Sequence, residues 1–284
     1  MPRTIDLMHL GNDRVIAAHE LDGGVVVDPG PASCVDALLA GLADEPRALL
    51  LTHIHLDHAG ASGVLARRFP ELRVYVHELG APHLADTSKL LESAGRLYGD
   101  DLDRLWGEVA PVPAERTIAL AGGESVEGLD VLYTPGHASH HVSYLDPGRG
   151  DAYVGDAAGV RIPPGGPTIA PTPPPDIDLE AWHRSLEEIA ARRPERLRLT
   201  HFGAAAPAAE AIAAAQEAVF RAGERSASGD RARFEAALED ELAHEASPDE
   251  AVRTMQAAPM DQLWFGLERY WRKRREREPA PQSS

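Results

Sequence analysis

The chain is poor in cysteine, in aromatic side chains, in positive charge and in long apolar runs. Cys34 is its only cysteine. That excludes an internal disulfide framework and any zinc site built from several thiolates. Lysine and arginine together number 28 against 45 aspartates and glutamates, a formal charge of −17. Such a balance opposes a general affinity for nucleic-acid phosphates, while leaving room for a local basic patch. No apolar stretch approaches the roughly 20 residues that a bilayer crossing demands. The first residues also lack a basic segment running into an apolar one, so no secretory signal is expected. The expectation is a soluble cytoplasmic protein. Its 284 residues, 43% of them apolar, are enough to bury a core in one large domain or two smaller ones.

The first 200 residues alternate short β-like runs with helical patterns. Residues 15–18, 24–27, 48–51, 73–76, 131–134, 142–145, 152–154 and 196–200 read as strands. Residues 35–42, 60–69, 84–105 and 179–191 read as helices, with breaks at Gly95 and Gly99 in the third. Residues 163–175 hold seven prolines and form an extended loop. After Gly203 the character changes to alanine-, glutamate- and arginine-rich helical spacing. Ser247, Pro248, Asp249 and Glu250 make a helix start there: an N-cap residue, a proline at the first position and early acids. The expected division is a domain over 1–203, a helical subdomain over 204–276 and a disordered tail over 277–284. Six basic residues and one acid between 269 and 277 read as a solvated helix end whose cations complement the dipole.

What the chain has in quantity is histidine, thirteen in all. Four candidate ligands crowd into six residues directly after the apolar strand at 48–51: His53, His55, Asp57 and His58. A strand end delivers a tight loop whose side chains can converge on one point. Imidazole and carboxylate suit zinc, iron or manganese.

This His-x-His-x-Asp-His stretch resembles the signature of the metallo-β-lactamase superfamily. The motifs that follow it are similar in order and kind: Thr134-Pro135-Gly136-His137, then Tyr153-Val154-Gly155-Asp156, then Leu199-Thr200-His201. The resemblance spans roughly residues 4–203. It implies an α/β fold, a four-layer αβ/βα sandwich of two mixed sheets flanked by helices, here followed by the helical C-terminal part. It implies two divalent metal ions, zinc first and iron or manganese as options. His53, His55 and His137 would hold one, Asp57, His58 and His201 the other, with Asp156 bridging. The implied activity is hydrolysis by a metal-bound hydroxide of a small ester, thioester, lactone or phosphoester. A thioesterase similar to hydroxyacylglutathione hydrolases, which also carry a helical C-terminal part, comes first. Asp57 would double as a catalytic proton carrier.

Further residues carry secondary readings, the first two from the same resemblance. Asp28, at the end of an early strand, matches a position that commonly holds an acid behind the metal loop; a plain turn aspartate is the alternative. His141 reads as a buried hydrogen-bonding histidine and His140 as a neighbour. His77 and His83 read as capping or packing residues, Tyr98 and Trp106 as core before pocket wall, and Cys34 as a small buried hydrophobe. The competing function is a mononuclear-iron persulfide dioxygenase using His53, His137 and Asp156. Flavodiiron proteins carry an acid where His55 stands, and lactonases of acyl-homoserines a tyrosine shortly after the aspartate, where Gly159 and Arg161 stand here. The expected partner is a small molecule, with no nucleic acid and no membrane; the assembly is open between monomer and homodimer.

Overall fold

Strand β3 (Val25–Val27) and strand β4 (Ala48–Leu50) are buried on both faces, as uninterrupted apolar triplets require. They pair in parallel, Val26 opposite Leu49. Successive side chains point to opposite faces, so Val25, Val27 and Leu50 enter one apolar cluster while Val26 and Leu49 enter another. This alternation generates the layers. The computed structural model describes residues 2–163 and 165–277.

The first sheet runs β1 (Arg3–Asp6), β2 (Ala17–Leu21), β3, β4, β5 (Arg73–His77) and β6 (Thr117–Leu120) in sequence order. The second runs β12 (Gly203–Ala205), β11 (Arg196–Leu199), β10 (Asp151–Tyr153), β9 (Val142–Asp146), β8 (Leu129–Tyr133) and β7 (Ser125–Val126). Both are mixed: β3 to β6 are parallel in one, and β10 and β11 are the parallel pair of the other. Between the sheets, Val25, Val27 and Leu50 meet Val131, Val142, Tyr144 and Tyr153. Outside the first sheet pack α1 (Val35–Gly41), α2 (Leu56–Ala59), α3 (Ser62–Arg68), α4 (Ala81–Ala85), α5 (Ser88–Tyr98) and α6 (Leu102–Trp106). Outside the second pack α7 (Leu179–Ala191) and α8 (Ala208–Ser226), joined by α9 (Arg231–Glu245), α10 (Pro248–Ala257) and α11 (Met260–Arg277). This is the four-layer αβ/βα sandwich with an added helical part.

Some local expectations change. Helix α5 runs through Gly95 without a break and stops at Gly99, whose φ of +52° a residue with a Cβ adopts reluctantly. Strands β1, β6, β7 and β12 had no strand reading in the sequence. Residue 203 lies inside β12, which pairs with β11, and α11 includes Arg277; the rest of the expected tail, 278–284, falls outside the described residues. The helix start at Ser247 forms as expected: Ser247 accepts from the Glu250 amide, Glu250 accepts from the Ser247 amide, and Pro248 opens the helix. No helix among the described residues is long and apolar enough to cross a membrane.

Candidate metal centre and its cavity

Four strand ends deliver the candidate ligands to one place. Tyr144 Oη donates to the Leu51 carbonyl and the Val142 amide donates to Thr52 O, each at 2.8 Å, which pins the β4 exit against the second sheet. His53, His55, Asp57 and His58 follow β4, the last two on α2. His137 follows β8, Asp156 follows β10 and His201 follows β11. Two glycines hold these exits close. A Cβ on Gly136 (φ +143°) would sit 2.3 Å from Trp182 Cα, and one on Gly155 (φ +46°) would sit 2.4 Å from Thr52 Oγ1.

The seven side chains sort into two groups. One potential ligand atom from each of His53, His55, His137 and Asp156 lies within 4.8 Å of the others, and Asp57, His58 and His201 form a second set by the same measure. Asp156 faces both: its Oδ2 is 3.3 Å from His137 Nε2, and its Oδ1 is 3.3 Å from His58 Nε2 and 3.6 Å from His201 Nε2.

The outer ring nitrogens show which way the lone pairs point. His137 Nδ1 lies 2.8 Å from the Pro171 carbonyl and His201 Nδ1 lies 2.6 Å from the Val15 carbonyl. A carbonyl only accepts, so both Nδ1 atoms donate. Thr52 gives its hydroxyl proton to Asp28 Oδ2 at 2.7 Å and therefore accepts from His53 Nδ1 at 3.1 Å. His58 Nδ1 faces Asp28 Oδ2 at 2.8 Å. In the neutral rings, the Nε2 lone pairs of His53, His58, His137 and His201 all turn inward. His53 Nε2 and His137 Nε2 then stand 3.2 Å apart, each about 3 Å from His55 Nδ1, at 2.9 and 3.0 Å. Buried lone pairs facing one another and two carboxylates need a positive centre between them. His58 Nε2 and Asp156 Oδ1 are buried without a hydrogen-bond partner, as donors reserved for a cation would be. The donor set is nitrogen and oxygen only, which suits zinc, iron or manganese.

Electrostatics agree. Burial, reinforced by the neighbouring histidines, holds His53 well below the ordinary imidazole value, and burial takes His55 to about 3. At His58 burial acts in the same sense but is overcome by the Asp156, Asp57 and Asp28 carboxylates, so its pKa is raised. Asp57 and Asp156 are depressed despite burial, chiefly by His58. At His201 burial likewise lowers the pKa, and the Asp156 and Asp57 carboxylates outweigh it, so it too is raised.

The remaining site readings divide. Asp28 is fully buried and accepts from the Thr52 amide, the Thr52 and Thr200 hydroxyls and His58, more than a turn aspartate does. His141 bonds Thr134 Oγ1 at 2.9 Å beside the His53 ring and joins neither group. His77 accepts from the Leu79 amide and stacks on Tyr133. Cys34 is buried.

A cavity of about 360 Å³ opens on His55, Asp57 and Asp156. Its lining includes His83, His140, Tyr98 and Trp106, so the two aromatics form pocket wall as well as core, and His140 is more than a neighbour. Prolines 171 and 173–175 edge it, and Gln256, Ala257 and Leu263 bring the C-terminal helices to it. His9, in no motif, also lines it. The His9 ring stacks on Trp106 at 5.3 Å, its Nε2 donates to Leu105 O, and Gln256 Nε2 donates to its Nδ1. Nothing in the sequence around residue 9 signals this, because its partners lie 96 and 247 positions away.

The fold and the sequence both match known proteins. The model of the metallo-β-lactamase superfamily matches residues 12–201. The chain belongs to that superfamily. Among its relatives, a hydroxyacylglutathione hydrolase of Thermosynechococcus vestitus is 31% identical over 153 residues, 52% of this chain and 49% of the relative. The chain thus spans about half the length of that curated relative. An archaeal superfamily protein from Sulfolobus tokodaii has a similar fold, with a TM-score of 0.63 at 22% identity over 92% of this chain and 97% of that one. A further solved structure, of a protein in a di-iron-bound form, gives a TM-score of 0.55 at 27% identity over 74% of this chain and 96% of its own.

Proposed function

We propose that this chain is a metal-dependent hydrolase of small acyl compounds, thioesters first. His53, His55 and His137 would hold one divalent cation and Asp57, His58 and His201 a second, with Asp156 placed to serve both. The observation that carries this reading is the Asp156 carboxylate facing both histidine groups at 3.3 Å. When bound, the two cations supply Lewis acidity and bring a water's pKa from about 16 toward neutrality. The chain's residues do the rest. Inward lone pairs fix the cations, while the Pro171 and Val15 carbonyls and the Asp28 carboxylate fix the rings behind them. Asp57, 19% exposed at the cavity floor, is ionised at neutral pH and able to take a proton and return it to a leaving group. The cavity, within the usual size range of small-molecule sites, keeps bulk water from the acyl group.

The thioester preference is supported by the relatives named hydroxyacylglutathione hydrolase. The second histidine group, complete beside the first, supports two metals over the single iron of a persulfide dioxygenase. Elemental analysis of metal-replete protein together with an ester and thioester panel tests this. Close to two ions per chain with turnover is expected. No bound metal, or one iron with oxygen uptake on a persulfide, overturns it.

A further inference from the structure

Every segment that closes the cavity opposite the ligands brings apolar side chains. Leu90 and Leu97 come from α5, Trp106 from α6, Pro173 from the proline-rich loop, and Ala257 and Leu263 from the C-terminal helices. Lys89 is the sole lysine or arginine on the lining, among the described residues, and it is exposed. A neighbouring groove shares Ser139 and Asp176 with the cavity and carries the basic end of α11. There Lys273, Arg274 and Arg277 are matched by Asp176, Asp178 and Glu180, and Arg274 pairs with Glu180. Away from the candidate metal ligands, neither surface carries, among the described residues, a surplus of positive side chains that would receive an anionic carrier. A γ-glutamyl tripeptide brings two carboxylates and an ammonium, and seating unpaired charges against leucine, proline and tryptophan is unfavourable.

We propose that the substrate of this site is an ester or thioester with a neutral, unbranched or aromatic apolar acyl group, which fills the cavity wall formed by Leu90, Leu97, Trp106, Pro173 and Leu263, and that glutathione conjugates are poor substrates. This rests on the hydrolase reading above and names its substrate class. The reaction adds water across the acyl–oxygen or acyl–sulfur bond; the products are the carboxylate, the free alcohol or thiol, and a proton. Leu97 sets the depth of the acyl end, being half-buried on the cavity face of α5.

The test takes metal-replete protein through p-nitrophenyl acetate, butyrate, hexanoate and octanoate, beside S-lactoylglutathione. Turnover of the acetate reports the hydrolase reading alone, and its absence from every substrate overturns that reading. The expected result is kcat/KM rising by about fourfold per added methylene until the wall is filled, the ratio set by burying one methylene. A flat or falling series, or S-lactoylglutathione as the best substrate, overturns the proposal and leaves the hydrolase reading in place. Leu97→Trp is expected to shift the optimum about two methylenes shorter; an unshifted optimum overturns the role of the wall. A readout without chemistry uses metal-free protein and the neutral dye N-phenyl-1-naphthylamine, displaced by octanol. Leu97→Asp, checked for native circular dichroism, is expected to weaken dye binding about tenfold, since a half-buried carboxylate then faces an apolar ligand without a partner. If Leu97→Asp does not fold, Leu97→Gln serves in its place, and dye binding equal to wild type by the variant used overturns the proposal.

Discussion

Asp28 stands directly behind His58: its Oδ2 lies 2.8 Å from His58 Nδ1, and neither side chain reaches solvent. The same carboxylate gathers the Thr52 amide and the hydroxyls of Thr52 and Thr200, so one buried acid braces both metal groups through their ring and loop partners. Replacing it with an isosteric amide puts a donor where only donors arrive. Asp28→Asn is therefore expected to lower metal affinity by roughly 10- to 100-fold and to cost stability. Competition against a chelator measures the first, thermal denaturation the second. Unchanged affinity would show that Asp28 is only a turn residue.

Asp156 is the residue that touches both sets. Asp156→Ala is expected to reduce metal content from about two ions to one or fewer and to cut kcat by at least about a hundredfold, since the shared carboxylate is lost from a two-metal clamp. Circular dichroism should remain native, because among the described residues the side-chain polar contacts of Asp156 are with His58, His137 and His201. Full activity with one ion would remove the bridging role.

Metal removal should be visible in stability as well. Facing lone pairs in the first group and carboxylates in the second are relieved by cations and aggravated by their loss. Adding zinc at about 100 times its dissociation constant should stabilise the stripped protein by about 2.7 kcal/mol through binding the native state alone. A thermal-shift series with zinc, manganese and ferrous iron also ranks the metals. No shift with any of them contradicts the metal reading.

Gly155 separates Asp156 from Val154 at a point where even a methyl group meets Thr52 Oγ1 at 2.4 Å. Gly155→Ala must push Thr52 away from Asp28 or move Asp156. Overpacking of this kind costs about 1–3 kcal/mol, and the expected signature is a lower Tm together with weaker metal retention. A lower Tm with unaltered metal affinity would separate packing from ligand placement.

Glu250 gives a pH prediction. The Gly165 amide first, then Ser247, hold its carboxylate down to about 2 from an ordinary 4.5. The folded state thus binds its proton less readily than the unfolded chain. Its stabilising contribution is full above about pH 4.5 and is lost as pH falls from there to about 2. In thermal denaturation across that range, the Tm advantage of wild type over Glu250→Gln should shrink as the medium is acidified and be constant above pH 5. A constant difference throughout would mean that the carboxylate's charge is not what ties the loop at Gly165 to α10.

The ligand motifs were legible because each sits immediately after a strand, and a strand end fixes where the next few side chains go. The buried strands β3 and β4 were legible for a related reason: burial on both faces demands apolar runs that stand out. Strands β1, β6, β7 and β12 are short or exposed along an edge, and their burial is too patchy to leave a pattern. The cavity was out of reach for a different cause. Trp106 reads as core at any position, and its place against His9 and Gln256 depends on contacts spanning most of the chain. His140 carried no signal at all, since a histidine beside a ligand histidine reads the same whether or not it faces open space.

The contact between Asn12 and Gln256, 244 positions apart, has a consequence for how the molecule comes into being. All seven candidate ligands lie at or before residue 201, and domains generally fold from the N-terminal side as they emerge from the ribosome. Gln256, Ala257 and Leu263 arrive only afterwards. That part of the wall is supplied last, so the candidate ligands can gather before the cavity that covers them is complete.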